Sequence, residues 1–207
     1  MGRRSDHSRT ELFELILAEG HRQMAEVGFS RFSAREVAKK IGYSIGTLYN
    51  VFGSLDRLLA AINTRTFGLW ARHLEARLEG EQGDRIAALV DGYFSFARDN
   101  PHLWMAIYDH RLPPGMVLTD DEHDRRSVLT EIVAREVAAA LPEPARAEAP
   151  RLARSLVATV HGHCTFALNG AFELMGEAAP QDLALARVRE SLAAADQAVV
   201  ATALKKV

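Results

Sequence analysis

The chain has 207 residues, of which 48 % are hydrophobic and 25 % charged, and a net charge of −2; these ordinary globular values allow a buried core and exclude a disordered tail. The charge is uneven: residues 1–57 carry nine Lys or Arg against seven Asp or Glu, and residues 58–207 carry sixteen against twenty, so a polyanion would meet the N-terminal part. Cys164 is the single cysteine, which excludes an intrachain disulfide and fits a reducing cytoplasm.

The N-terminal stretch MGRRSDHSRTELFE has basic residues but no apolar run behind them long enough for a secretory signal. A first helix is predicted over 8–27, where Leu12, Ile16, Met24 and Val27 recur at helical spacing before the stop signal Gly28. A short helix over 34–41 follows, opened by a capping box of Ser33 with Glu36 and ended by Gly42. Ser44 is placed to cap a second short helix over 45–52. A long helix runs from about 54 to 79 with Leu58, Leu59, Ile62, Leu69, Trp70 and Leu74 on its apolar side. After a break at 80–83 come helices over 84–98 and from Pro101 to about 110, with Pro at the first helical position. Pro113, Pro114 and Gly115 make 112–118 a loop, and Thr119 with Glu122 forms another capping box that starts a helix to about 141. Residues 142–149 read as a linker, and two last helices are expected over 150–175 and 180–203. Residues 155–172 are free of charge, but Thr159, His161, Gly162, His163, Thr165 and Asn169 make them a buried helix rather than a membrane span. No alternating run reads as a strand. The predicted fold is all-α with about nine helices. An N-terminal three-helix helix-turn-helix domain, 1–54, is linked through the long helix 55–79 to a C-terminal domain, 80–207.

The segment from Phe32 to Leu59, FSAREVAKKIGYSIGTLYNVFGSLDRLL, carries the functional signal. Two short helices flank a tight turn, Gly42-Tyr43-Ser44, in which Gly42 supplies the positive φ. Val37, Ala38, Ile41, Leu48 and Phe52 form the face that packs the helices together, so Tyr43, Ser44, Thr47, Tyr49 and Asn50 are left outward. That is the layout of a helix-turn-helix, whose second helix enters the major groove of DNA. Asn50 suits adenine, and Thr47 suits a thymine methyl or a phosphate. The helix start at Ser33 suits a phosphate, and Ala34, Arg35, Ile45 and Gly46 complete the candidate DNA-binding set. Arg3 and Arg4, with Arg9 behind them, are candidates for an arm along the backbone or minor groove, or for a solvated tail.

These residues resemble the DNA-binding region of the TetR family of bacterial repressors. The resemblance rests on Gly28-Phe29, the run from Phe32 to Ala38, Ile41 to Ser44, Gly46 to Tyr49, Phe52 and Leu58-Leu59, and it covers roughly residues 9–60. Val51 stands where the family often has an aromatic residue or His, and Leu55 where it commonly has a phosphate-contacting Lys. The resemblance implies nine or ten helices, and a variable C-terminal domain that binds a small ligand and makes the dimer. Asn100 to Trp104, His110 to Pro113 and Val160-His161-Gly162 resemble a C-terminal subgroup with a His-Gly motif on its eighth helix, although Val157 stands where that subgroup has Trp.

The composition of the middle helices supports a ligand pocket independently, with an apolar wall and a few polar groups. The candidate lining is Phe67, Trp70, Phe94, Trp104, Met105 and Tyr108, with Val133, His161, Cys164, Thr165 and Leu168; the same residues also suit a filled core. His161, His163 and Cys164 raise a metal site, but zinc needs three or four converging donors and no third ligand is evident. No metal or cofactor is therefore expected. No catalytic triad, paired carboxylate or phosphate loop is evident, so an enzyme is not expected. Ala153, Leu156, Val160 and Ala167, with the small residues of 183–203, suit a dimer surface built from the last two helices of each subunit.

The reading is a cytoplasmic homodimeric regulator, a repressor, that binds a pseudo-palindromic double-stranded operator and is released by a small apolar or aromatic effector, with no membrane partner. Two alternatives stand beside it: a metal-responsive regulator, and a small-molecule-binding protein with a vestigial DNA domain.

Overall fold

The computed structural model describes residues 7–81 and 83–204, and side chains up to residue 197. Among the described residues there is no strand. Ten α-helices follow in order: α1 (Arg9–Val27), α2 (Ala34–Lys40), α3 (Ile45–Phe52), α4 (Leu55–Glu79), α5 (Arg85–Asp99), α6 (Pro101–Asp109), α7 (Asp120–Ala140), α8 (Ala149–Leu168), α9 (Ala171–Leu174) and α10 (Pro180–Leu204). Two compact units share them, one of residues 1–68 with 100–125, the other of residues 69–99 with 126–207.

Capping chemistry sets the helix starts. Ser8 and Glu11 satisfy each other's backbone N–H reciprocally at the start of α1, and Thr119 and Glu122 do so before α7. The N-terminal unit buries the inward faces of its helices in one core: Ile16 and Met24 of α1, Val37 of α2, Leu48 of α3, and Leu58 and Ile62 of α4 are each essentially inaccessible. Each such side chain contributes about 1.5–3 kcal/mol. Leu103 and Ala106 join this core from α6. Asn63 Nδ2, buried on α4, donates to the Ala106 carbonyl at 3.1 Å, and the His102 ring donates from Nδ1 to the Ala25 carbonyl at 2.9 Å. Segment 100–125 therefore belongs with the N-terminal helices through core packing and specific hydrogen bonds, among them Arg57 Nη1 to the Val117 carbonyl at 2.9 Å.

The second unit packs α8 against α10 and α5. Gly92 on α5 permits a close approach, since a Cβ there would lie 2.6 Å from Leu74 Cδ2. Glu136, 4 % exposed, accepts from Arg85 Nε at 2.6 Å, Arg85 Nη2 at 2.9 Å and Arg135 Nε at 2.8 Å. Arg85 Nη1 also donates to the Leu78 carbonyl near the end of α4 at 2.9 Å, which accepts from the Glu81 N–H at 3.2 Å as well.

Two predicted elements differ. Residues 150–175 do not form one helix: α8 stops at Leu168, Gly170 takes φ 78°, and Asn169 Oδ1 accepts from the Ala171 N–H at 3.0 Å to start α9. Across this turn Phe172 folds back onto Phe166, ring centroids 5.6 Å apart. Residues 142–149 are not a bare linker but hold a 3-10 turn, Glu143–Glu148, and a second such turn, Phe29–Arg31, follows Gly28.

Candidate nucleic-acid interface and ligand cavity

In the N-terminal unit, α2 and α3 meet around Gly42, whose φ is 79°. Its N–H donates to the Lys39 carbonyl at 3.1 Å, and the Tyr43 N–H donates to the Ala38 carbonyl at 2.9 Å, which closes α2 with a left-handed cap. Ser44 then caps α3: its Oγ accepts from the Thr47 N–H at 3.1 Å and lies 3.0 Å from Thr47 Oγ1. Leu48 and Phe52 anchor the inner face of α3, and the Phe52 ring stacks on Phe13 with centroids 4.6 Å apart.

On the outer face, Arg35, Ser44, Gly46, Tyr49 and Asn50 are exposed, and Ser33, Tyr43, Ile45 and Thr47 are half-buried. Ala34 is buried, so its methyl belongs to the core and only its backbone is available at the start of α2. Arg3 and Arg4 lie outside the described residues. The capping box at α2 is half-formed: Ser33 Oγ accepts from the Glu36 N–H at 3.4 Å, but the Ser33 N–H goes to Gln23 Oε1 of α1 at 2.8 Å. That bond fixes the start of α2 on α1, a long-range contact with no signature in local sequence. His7, which the sequence did not single out, has Nδ1 2.7 Å from the Tyr43 hydroxyl.

In the second unit, a small opening of about 40 Å³ lies among five helices. Eleven residues line it, among them Leu74 of α4, Val90 and Tyr93 of α5, Val133 of α7, Val160 of α8 and Val188 of α10. Val133 alone comes from the candidate pocket set. The other aliphatic lining residues carry no distinguishing signal, because in sequence they read as ordinary core. Trp70 forms part of an aromatic layer, stacked on Phe96 at 5.1 Å and edge-on to Tyr93 at 4.7 Å. His161 is half-buried, with Nδ1 3.0 Å from the Tyr93 hydroxyl and Nε2 3.4 Å from Thr165 Oγ1. Burial pushes its pKa down, which keeps the ring neutral near pH 7. Burial also pushes the Cys164 thiol up to about 12, so it stays protonated and unreactive. Phe94 and Leu168 line a different, open groove of about 520 Å³ beside Arg98 and the start of α10. Phe67, Trp104, Met105 and Tyr108 belong to the N-terminal unit and line neither opening; Trp104 is buried against the Tyr108 ring at 5.5 Å, and Met105 is exposed.

Two families match the chain, and the second match spans residues 100–125, which pack with the N-terminal helices. Residues 16–62 match a family described as bacterial regulatory proteins of the tetR family, and residues 86–201 match a tetracyclin repressor-like C-terminal domain. The chain belongs to the TetR family. Members of that family are DNA-binding transcription regulators and not enzymes.

Solved structures share the TetR-like fold. A protein with unknown function from Rhodococcus sp. RHA1 is 23 % identical, with TM-score 0.69 over 93 % of this chain and 98 % of that one. A TetR-like transcriptional regulator from the same organism is 21 % identical, with TM-score 0.58 over 90 % and 98 %. The multidrug binding protein EbrR, complexed with imidazole, is 19 % identical, with TM-score 0.60 over 90 % and 96 %. No curated protein matches the chain.

The TetR-like C-terminal unit corrects one surface. Ala153, Leu156 and Val160, expected on a dimer face, are buried within their own subunit. Their spacing marks an inward stripe of α8, and helical periodicity alone cannot say which apolar face meets its own subunit. Ala158, Gly162 and Phe166 of α8 and Ala193 and Ala194 of α10 are exposed instead. Among the described residues no cluster of three or more His, Cys, Asp or Glu is placed to hold a metal ion, and no helix is long and apolar enough to cross a membrane.

Proposed function

We propose that this TetR-family regulator is a repressor that binds a pseudo-palindromic operator as a homodimer and leaves it when a small apolar molecule occupies the C-terminal unit. One observation carries the reading. The continuous helix α4 places Leu58 and Ile62 in the core behind the exposed recognition helix α3, and further along the same helix Leu74 lines the cavity. The dimer forms through the exposed small-residue faces of α8 and α10. Two recognition helices must reach major grooves about 34–36 Å apart on one side of the duplex. A ligand that moves α4 alters that spacing, and the switch is as strong as the difference in ligand affinity between the two spacings.

Arg35, Ser44, Thr47, Tyr49 and Asn50 make the DNA contacts in this reading, with the backbone of Ala34, Ile45 and Gly46 at helix starts, Tyr43 at the turn, and the arm that carries Arg3 and Arg4. The test is fluorescence anisotropy with duplexes tiled across the region upstream of the gene. Specific binding that weakens steeply with salt supports the proposal. Equal affinity for every duplex, or no dependence on salt, refutes it.

A further inference from the structure

The wall of the small cavity in the second unit is notable for what it lacks. Ten of its eleven lining residues are Leu, Ile or Val, and none is charged. The eleventh is Tyr93, whose hydroxyl is engaged 3.0 Å from His161 Nδ1 and whose ring meets Trp70 edge-on at 4.7 Å. An ion entering such a wall would lose its hydration with nothing to replace it. A cation would also meet one aromatic ring at most, whereas cationic ligand sites surround it with several. The size is equally informative. A volume near 40 Å³ holds a few water-sized spheres, whereas sites that enclose a drug-sized ligand measure about 300–1,000 Å³. A ligand of that size must therefore part the helices around this space to be enclosed. Leu74 places α4 among them.

We infer that the ligand of this cavity is an uncharged molecule whose buried part is plain hydrocarbon, selected by shape and by the absence of charge rather than by a hydrogen bond. The inference rests on the reading of this cavity as the effector site. The Tyr93 hydroxyl is a structural tether to His161 and not a ligand contact.

Three probes with the same eight-carbon tail separate the alternatives: octan-1-ol, octanoate and octyltrimethylammonium. Titration calorimetry on the full chain without DNA should show octan-1-ol binding at least tenfold more tightly than either ion. Filling the cavity with Val160→Trp, or with Val157→Phe at a half-buried lining position should the first variant not fold, should weaken octan-1-ol at least tenfold. Tyr93→Phe should leave its affinity within about threefold. An ion that binds as well as the alcohol overturns the inference. So does a cavity-filled, folded variant with unchanged octan-1-ol affinity, a loss of tenfold or more in Tyr93→Phe, or no binding of any probe. Octan-1-ol that binds as described but leaves DNA affinity unchanged upholds the cavity chemistry and refutes the effector role.

Discussion

At the scale of single residues, the side chains with defined work are polar groups held against apolar neighbours. His21 on α1 lies 3.3 Å from the Thr66 hydroxyl of α4, and that hydroxyl is itself 3.1 Å from the Ile62 carbonyl. The Thr66 proton therefore goes to the carbonyl, and His21 Nε2 donates to the hydroxyl as a neutral ring. Burial, with Arg65 nearby, lowers the His21 pKa from 6.5 to about 4. The unfolded chain then binds the extra proton first, so stability is full above about pH 6.5, falls between about 6.5 and 4, and changes no further below that. With allowance for partial exposure the loss is about 1–2 kcal/mol. Urea unfolding at pH 7 and pH 4.5 should show it in the wild type and show a smaller loss in His21→Gln. Glu136 behaves in the opposite sense of charge: hydrogen bonds from Arg85 hold its carboxyl below the usual carboxylate range. Glu136→Gln should cost about 2–3 kcal/mol at pH 7, because hydrogen bonds to charged groups are the stronger ones. The deficit should shrink as pH falls through the carboxylate range in the wild type; a pH-independent deficit would contradict the assignment.

At the scale of elements, the reading head depends on two short helices that could not persist alone and are held by caps and by a shared core. Ser44→Ala removes the cap of α3 and should cost about 1 kcal/mol of stability, measured by thermal unfolding. The exposed face of α3 should behave differently. Asn50→Ala should leave the melting temperature nearly unchanged and weaken specific DNA binding by about 1–3 kcal/mol. Arg35→Ala should weaken binding to all duplexes alike and lower the salt slope by about 1 for each head. Anisotropy at several salt concentrations reads both, and an Asn50→Ala variant with wild-type discrimination between duplexes would remove that residue from the base contacts. The half-formed cap at Ser33 shows how an element depends on its neighbours: α2 spends one capping bond within itself and the other on Gln23 of α1.

For the whole molecule, the decisive property is whether two heads are held together. Gly162 is exposed on α8, and nothing lies within 4 Å of a Cβ built there. Gly162→Arg should therefore fold as a single chain, yet place a bulky charge on the proposed contact with a second copy. Sedimentation should show a dimer for the wild type and a monomer for this variant, with specific DNA affinity lost in step. A dimeric Gly162→Arg protein would place the subunit contact elsewhere.

Local chemistry wrote much of this architecture plainly into the chain. The helices, the turn at Gly42 and the caps at Ser44 and Thr119 follow from 3.6-residue spacing, backbone permissiveness and side-chain hydrogen bonds that span three residues, and the outward polar face of α3 is their direct consequence. What the sequence could not state was which apolar surfaces meet. Leu156 and Val160 look alike whether they face a second subunit or a cavity in their own. Phe166 and Phe172 meet only because Asn169 and Gly170 open a turn between them. Trp70 and Trp104 share a composition but lie in different units. Hydrophobic attraction is non-directional, so a pattern of apolar residues fixes that a face is buried and leaves its partner to the packing of the folded chain.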